Sequence, residues 1–92
     1  MRTIKNTSKK AQAYINAYNR SSMYDLRDAY KTPSTRKTRA NYNCRMMMES
    51  EGGHGYKIIA HGSSFFTVAW IVGKDLRIET AANSFIIPNA AE

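Results

Sequence analysis

Three side chains in this sequence could supply a nucleophile or a soft metal ligand. Cys44 is the single cysteine, and His54 and His61 are the two histidines. Their spacing matches no zinc-binding pattern. As a nucleophile, Cys44 would need one histidine as a positioned base, but it falls on the apolar stripe of a methionine-rich helical segment, where a buried thiol is usually inert. We therefore predict neither a metal site nor a cysteine nucleophile.

The acidic residues are no better suited to acid–base catalysis. They include Asp25, Asp28, Glu49, Glu51, Asp75 and Glu79. Nothing in the sequence near them would raise a carboxyl pKa. The run Gly52-Gly53-His54-Gly55 has the composition of a phosphate-binding loop, but it precedes a predicted strand rather than a helix, so we interpret it as a connector. The sequence thus predicts a protein that is not an enzyme and has no cofactor.

Charge is distributed unevenly along the 92 residues. Residues 1–45 contain eleven of the fourteen Lys and Arg residues against two acids, a net charge of +9, whereas residues 46–92 contain three against five, a net charge of −2. A one-sided positive field attracts polyanions and acidic protein surfaces. The alternative is a solvated face whose charge serves solubility alone. The lone cysteine and the lack of a secretory or membrane-spanning apolar run predict a cytoplasmic protein.

Apolar spacing predicts three helices in the first half of the chain. The first is capped by Thr7 or Ser8, and the second is capped by Ser22 and broken at Thr32-Pro33. The third runs from Ser34 to about Glu51, where Gly52-Gly53 stops it. The predicted inward residues are Ala11, Tyr14, Ile15 and Tyr18, then Met23, Leu26 and Tyr30, then Ala40, Cys44, Met47 and Met48.

The outer face of the third predicted helix is the candidate binding surface. Its basic residues cluster near the helix N-terminus, where positive charge is unfavourable for the helix dipole, so stability does not explain them. Contact with phosphates or with an acidic protein surface does. The predicted binding residues are Arg36, Lys37, Arg39, Tyr42, Arg45 and Met46 on this helix, with Lys9 and Lys10 of the first helix as steering charges.

After Gly55 the apolar period changes from 3.6 to 2, which predicts four short strands. They are Tyr56–His61, Ser64–Val72, Asp75–Thr80 and Ser84–Ile87, joined by turns in a meander of hairpins. The register of the middle hairpin has two solutions. A two-residue turn at Gly73-Lys74 pairs Trp70 with Arg77 and predicts an exposed aromatic and basic patch. A three-residue turn pairs Trp70 with Ile78 and puts Trp70 in the core; we favour it, because it buries more apolar area.

These elements predict one α+β domain over residues 1–92. Residues 1–51 form its basic helical part and residues 55–88 form the β-meander. The expected fold has three N-terminal helices packed on one face of a four-stranded antiparallel meander.

Several short runs resemble a family of small phage-encoded proteins with three helices followed by a β-meander. The matching runs are Ile4-Lys5-Asn6-Thr7, Ala13-Tyr14-Ile15, Ser22-Met23-Tyr24-Asp25-Leu26, Pro33-Ser34-Thr35, Gly55-Tyr56-Lys57-Ile58-Ile59 and Phe65-Phe66-Thr67-Val68-Ala69. Among phage proteins of this size, the chain looks most like the anti-CRISPR inhibitors of type I-F systems. The resemblance covers most of the chain, and its motifs are structural rather than catalytic.

The resemblance implies a non-enzymatic inhibitor that binds the host CRISPR surveillance complex, through its protein subunits and guide RNA, and blocks hybridisation of target DNA in the host cytoplasm. The chain departs from the acidic inhibitors that imitate DNA, because its helical half is strongly basic. The alternative is a small basic regulatory protein that binds nucleic acid without a protein partner. No membrane and no small-molecule substrate are expected for either function.

Overall fold

The computed structural model describes residues 2–21, 36–61 and 66–91. Within these ranges it contains two helices and five strands. In chain order the elements are β1 (Arg2–Thr3), α1 (Lys9–Arg20), α2 (Arg36–Ser50), β2 (His54–His61), β3 (Phe66–Val72), β4 (Asp75–Glu79) and β5 (Ser84–Ile87). The helix predicted to begin at Ser22 lies outside the described residues, and so do the first two residues of the strand predicted from Ser64.

The strands form one mixed sheet in the order β1-β5-β4-β3-β2. Strands β2 to β5 pair antiparallel, but β1 joins the sheet by parallel pairing, with Arg2 opposite Phe85 and Thr3 opposite Ile86. The predicted four-stranded antiparallel meander under three helices is therefore wrong. Strand β1 has only two residues, both exposed, and therefore no alternating apolar pattern that could predict it. Hairpin turns predict only antiparallel neighbours, so they could not predict its parallel pairing with β5.

The two helices lie on opposite faces of this sheet. Helix α1, capped at Ser8, places Ala11 and its stripe of Tyr14, Ile15 and Tyr18 against one face. The residues below it include Ala69, Leu76, Ile78, Phe85 and Ile87. Helix α2 packs Met48 and Cys44 on the other face, against Tyr56, Ile58, Val68 and Trp70. The expectation that the helices share one face is wrong, because the strands alternate two buried sets of side chains and each set requires its own cover.

This double cover explains the register of the β3–β4 hairpin. The turn has two residues, Gly73 and Lys74, and Trp70 pairs with Arg77. The favoured three-residue turn is therefore wrong, since the preference for it assumed that only one face of the hairpin is buried. The predicted burial of Trp70 is nevertheless confirmed, with 0% of its surface exposed. The exposed aromatic patch expected from the two-residue register does not form, because α2 covers it.

Side chains at the end of α1 fasten that helix to β2. The Tyr18 hydroxyl donates to the carbonyl oxygen of Gly55 at 2.5 Å, and the Ser21 hydroxyl donates to the carbonyl of Ile58. In return, Lys57 Nζ donates to the Tyr18 carbonyl at 3.0 Å. The position of α1 is thus fixed by polar contacts as well as by its apolar stripe.

Candidate binding surface on helix α2

Helix α2 ends where the two glycines predict that it should. Gly52 adopts a positive φ of 71°, which glycine reaches without the steric penalty of a side chain. The Gly53 N–H donates to the Met48 carbonyl at 2.9 Å, and the Gly52 N–H donates to the Glu49 carbonyl at 3.1 Å. This pair of bonds is a Schellman motif, which satisfies carbonyls left open at the helix end. The motif therefore ends α2 at a defined place and leads the chain into β2 at His54.

The inner side of α2 is more polar than the sequence predicts. Asn41 and Met48 are buried, Cys44 is half-buried, and Met47, expected in the core, is 37% exposed. The Tyr56 hydroxyl donates to Asn41 Oδ1 at 2.6 Å. Asn41 Nδ2 is buried without a hydrogen-bond partner. Asn41, which the predicted stripe left out, is therefore part of the buried side of α2 together with half-buried Ala40.

A buried arginine joins the C-terminal end of α2 to the sheet. Arg77 is 6% exposed, and its guanidinium carbon lies 4.7 Å from the centre of the Trp70 ring. Its Nη1 donates to Glu79 Oε1 at 2.9 Å. Its Nε lies 2.9 Å from Glu51 Oε2, an ion pair without hydrogen-bond alignment. Glu51 also accepts a hydrogen bond from Trp70 Nε1 at 2.9 Å, so the carboxylates of Glu51 and Glu79 share one cation and Glu51 is held by a second donor.

The outer side of α2 carries the candidate binding surface. Tyr42 and Met46 are 48% and 47% exposed, and Arg39 is also exposed. Tyr42, Met46 and Met47 are the only large hydrophobic side chains that are exposed among the described residues. Contacts that Arg77 and Asn41 make between the helix and the sheet hold α2 in place, so Arg39, Tyr42 and Met46 project from a fixed helix.

The remaining predicted residues of α2 occupy its edge and its first turn. The side chain of Arg45 is 35% exposed and lies 4.0 Å from Glu49 one turn later. Arg36 and Lys37 begin the helix, but their side chains lie outside the described residues. No acidic residue stands in the first turn and no basic residue in the last, so the charges of α2 oppose its dipole at both ends.

The two predicted steering residues do not share this surface. Lys9 and Lys10 are exposed in the first turn of α1, on the opposite face of the sheet. Lys10 Nζ lies 4.3 Å from the centre of the Phe85 ring, where the cation interacts with the aromatic face. The structure thus brings together Arg39, Tyr42 and Met46 and separates them from Lys9 and Lys10.

The chemistry of Cys44 matches a packing role. The pKa of its thiol is raised to about 11, chiefly by burial; the negative charge of Glu79 adds to this rise, and the positive charge of Arg77 opposes it. The thiol therefore carries its proton at neutral pH, and the reactive thiolate is scarce. Cys44 borders an open groove of about 250 Å³ whose lining also includes Met47, Glu79 and Thr80, and none of the described residues that line it is a histidine.

His54, one of the two candidate bases, is exposed at the start of β2. Among the described residues, no group of three or more His, Cys, Asp or Glu side chains is placed to hold a metal ion.

Sequence reasoning missed Glu51, Arg77 and Glu79, which position α2. The signal was present in the two-residue register, which puts Arg77 beside Trp70 and Glu79 beside Val68 on one face. The predicted binding surface also left out Glu49, which is exposed on the outer side of α2.

Comparison with known proteins adds no further assignment: no family model, curated protein or solved structure matches this chain. Neither helix of the described ranges is long and apolar enough to cross a membrane.

Proposed function

We propose that this protein works by binding, and that the outer face of α2 is its docking surface for an anionic macromolecular complex. The observation that supports this is the gathering of the exposed large apolar side chains of the described residues on one helix, beside Arg39. Tyr, Met and Arg are enriched at protein interfaces, where rigid or adaptable apolar contact is combined with a directed cation. A solvated helix face would have no need of Tyr42 and Met46.

The charge of the chain favours an anionic partner. Residues 1–45 carry a net charge of +9, and the first turns of α2 hold Arg36, Lys37 and Arg39. Such a surface is attracted to phosphates and to acidic protein surfaces, and it associates faster at low salt. A ribonucleoprotein offers both: guide-RNA phosphates for the cations and a protein surface for Tyr42 and Met46.

In its specific form, the proposal is a non-enzymatic phage inhibitor that acts in the host cytoplasm. It binds a crRNA-guided surveillance complex of the type I-F kind, contacts protein subunits and guide RNA, and blocks hybridisation of target DNA. Its support is the resemblance of the short sequence runs to small phage proteins, together with the basic helical half. The buried thiol of Cys44, with its raised pKa, supports a non-enzymatic mechanism.

The test uses a purified type I-F surveillance complex loaded with guide RNA. Binding is measured by biolayer interferometry, and hybridisation is followed with fluorescently labelled target DNA. The variant Arg39→Glu with Tyr42→Ala should lose at least about tenfold in affinity, because it removes a charged contact and an aromatic anchor together. Lys9→Glu, an equal charge reversal on the opposite face, is the matched control and should change affinity much less. Equal losses for both variants would contradict a docking role for α2.

The second candidate function is binding of nucleic acid without a protein partner. It is favoured by Tyr42, because an exposed aromatic ring beside cations can stack on an unpaired base. Binding to naked RNA or DNA would then be tight at low salt and fall steeply as salt rises, since each phosphate contact releases a counterion. Weak binding to naked nucleic acid, with tight binding to the ribonucleoprotein, would reject this alternative.

A further inference from the structure

Four residues on the outer side of α2 follow the spacing of a coiled-coil seam. They are Arg39, Tyr42, Met46 and Glu49, separated by three, four and three positions, and all four are exposed. This is the a, d, a, d order of a heptad, which lies along one line of a helix. From Arg39 to Glu49 the stripe covers eleven residues, a length of about 15 Å at the rise of an α-helix. Its centre is apolar and its two ends are charged.

The charges at the two ends are opposite in sign and symmetrically placed. Arg39 lies five positions before Cys44 and Glu49 lies five after it, while Tyr42 and Met46 lie two positions on either side. When two copies of such a stripe run antiparallel, each Arg39 faces the Glu49 of the other copy and each Tyr42 faces a Met46. In a parallel pair, like residues would face each other and the end charges would repel. Charge complementarity therefore selects the antiparallel arrangement.

The helix dipole favours the same arrangement. Helix α2 has cations at its positive N-terminal end and Glu49 near its negative C-terminal end, which is unfavourable for the isolated helix. In an antiparallel pair, the basic N-terminal end of one helix lies beside the acidic C-terminal end of the other. Both the side-chain charges and the dipoles then attract, so the pair removes a penalty that each helix carries alone.

We infer that the outer stripe of α2 is also a self-association surface, on which two copies of this chain pack antiparallel with Arg39 against the Glu49 of the second copy. By two-fold symmetry each contact occurs twice. The interface goes beyond the proposed function but uses the same face, so a copy paired in this way cannot dock on a nucleoprotein through α2. The stripe is short, which makes the dimer weak and readily exchanged for a larger partner.

The test is a charge-swap series measured by sedimentation equilibrium. Arg39→Glu and Glu49→Arg should each weaken self-association by about tenfold, because each converts two attractions into two repulsions. The double variant R39E/E49R restores both attractions and should return the dissociation constant to within about threefold of wild type. The matched control is Arg20→Glu, an exposed charge reversal on α1, which should leave self-association near the wild-type value.

Both reversals place on α2 the charges that its dipole prefers, and among the described residues Glu49→Arg loses only the exposed 4.0 Å pair with Arg45. Loss of folding is therefore not expected, and circular dichroism verifies this. A monomeric wild type at protein concentrations up to about 1 mM would overturn this inference and leave the proposed function untouched. So would failure of R39E/E49R to recover. Single reversals that leave self-association unchanged would also overturn it, because that is the result expected for parallel packing, in which like charges face each other in every variant. The two proposals separate at Glu49→Arg, which should lose self-association and retain or gain affinity for an anionic complex.

Discussion

Replacing Arg77 by Met tests whether the buried charge cluster holds α2 on the sheet. Met has a similar length and no charge, so the change removes the cation and leaves most of the volume. It leaves the carboxylates of Glu51 and Glu79 without their shared partner, with 28% and 16% of these side chains exposed. Glu51 keeps its bond from Trp70, and Glu79 keeps a 2.6 Å bond from the Ser84 hydroxyl.

The expected loss is large relative to the stability of a small chain. Removing one partner of a buried ion pair costs about 3–5 kcal/mol, because the remaining charge stays partly desolvated. The lost contact of the guanidinium with the Trp70 ring contributes about 1 kcal/mol within that range. A chain of this length has a free energy of unfolding of about 5–14 kcal/mol. Arg77→Met should therefore remove at least about a fifth of the total, and more than half of it if the stability lies at the lower end of that range.

Urea denaturation, followed by circular dichroism and by the fluorescence of the single tryptophan, measures this loss. Arg39→Met, the same substitution at an exposed position of α2, should change stability by less than about 0.5 kcal/mol. Neutralising both glutamates in the triple variant R77M/E51Q/E79Q should recover about half of the loss, because no unpaired buried charge remains. Equal effects of Arg77→Met and Arg39→Met would refute the reasoning.

Three further predictions concern the packing beneath α2. Tyr56→Phe should lower stability by about 1–3 kcal/mol in urea denaturation, because it leaves Asn41 Oδ1 buried without a donor, and adding Asn41→Leu should recover part of that loss. Alkylation of Cys44 by iodoacetamide should accelerate up to about pH 11 in the folded protein but only to about pH 9 in urea. Between about pH 9 and pH 11 the folded state binds more protons at Cys44 than the unfolded state does, so the free energy of unfolding falls as pH rises through this range. Cys44→Ala should therefore make stability less dependent on pH there. Gly53→Ala should cost about 1–3 kcal/mol and shift tryptophan emission, because its Cβ would lie 2.7 Å from Trp70 Cδ1; Gly52→Ala, with open space around it, should leave the emission unchanged.

The layering of the fold matters for either binding role. Because α1 and α2 cover opposite faces, the described basic residues of these two helices are divided between two surfaces of the molecule. Arg39 lies on one of them and Lys9 and Lys10 lie on the other. Long-range attraction of a polyanion depends on the total charge of the protein, whereas direct contact involves the side chains of one helix. We therefore expect the α2 variants to change affinity and the Lys9 variant to change mainly the association rate.

Local features of the elements were predictable because neighbouring residues determine them. Ser8 was one of two predicted caps of α1, and its side chain accepts the Ala11 N–H. The stop at Gly52-Gly53 follows from the need for a positive φ after the helix. Exposure of Tyr42 and Met46 on the outer side of α2 followed from helical periodicity alone.

Features that depend on distant residues were decided only by the tertiary structure. Strand β1 pairs with β5, which lies more than eighty residues later in the sequence, and the two exposed residues of β1 carry no pattern that predicts this pairing. The register at Trp70 and Arg77 depended on whether the second sheet face is covered, which is a property of α2 and not of the hairpin. The sequence by itself determined where α2 ends, which side of α2 is outside and where the positive charge is concentrated along the chain. Tertiary structure decided which helix covers which face, since burial of a strand's two sets of side chains depends on partners that the strand's own residues do not specify.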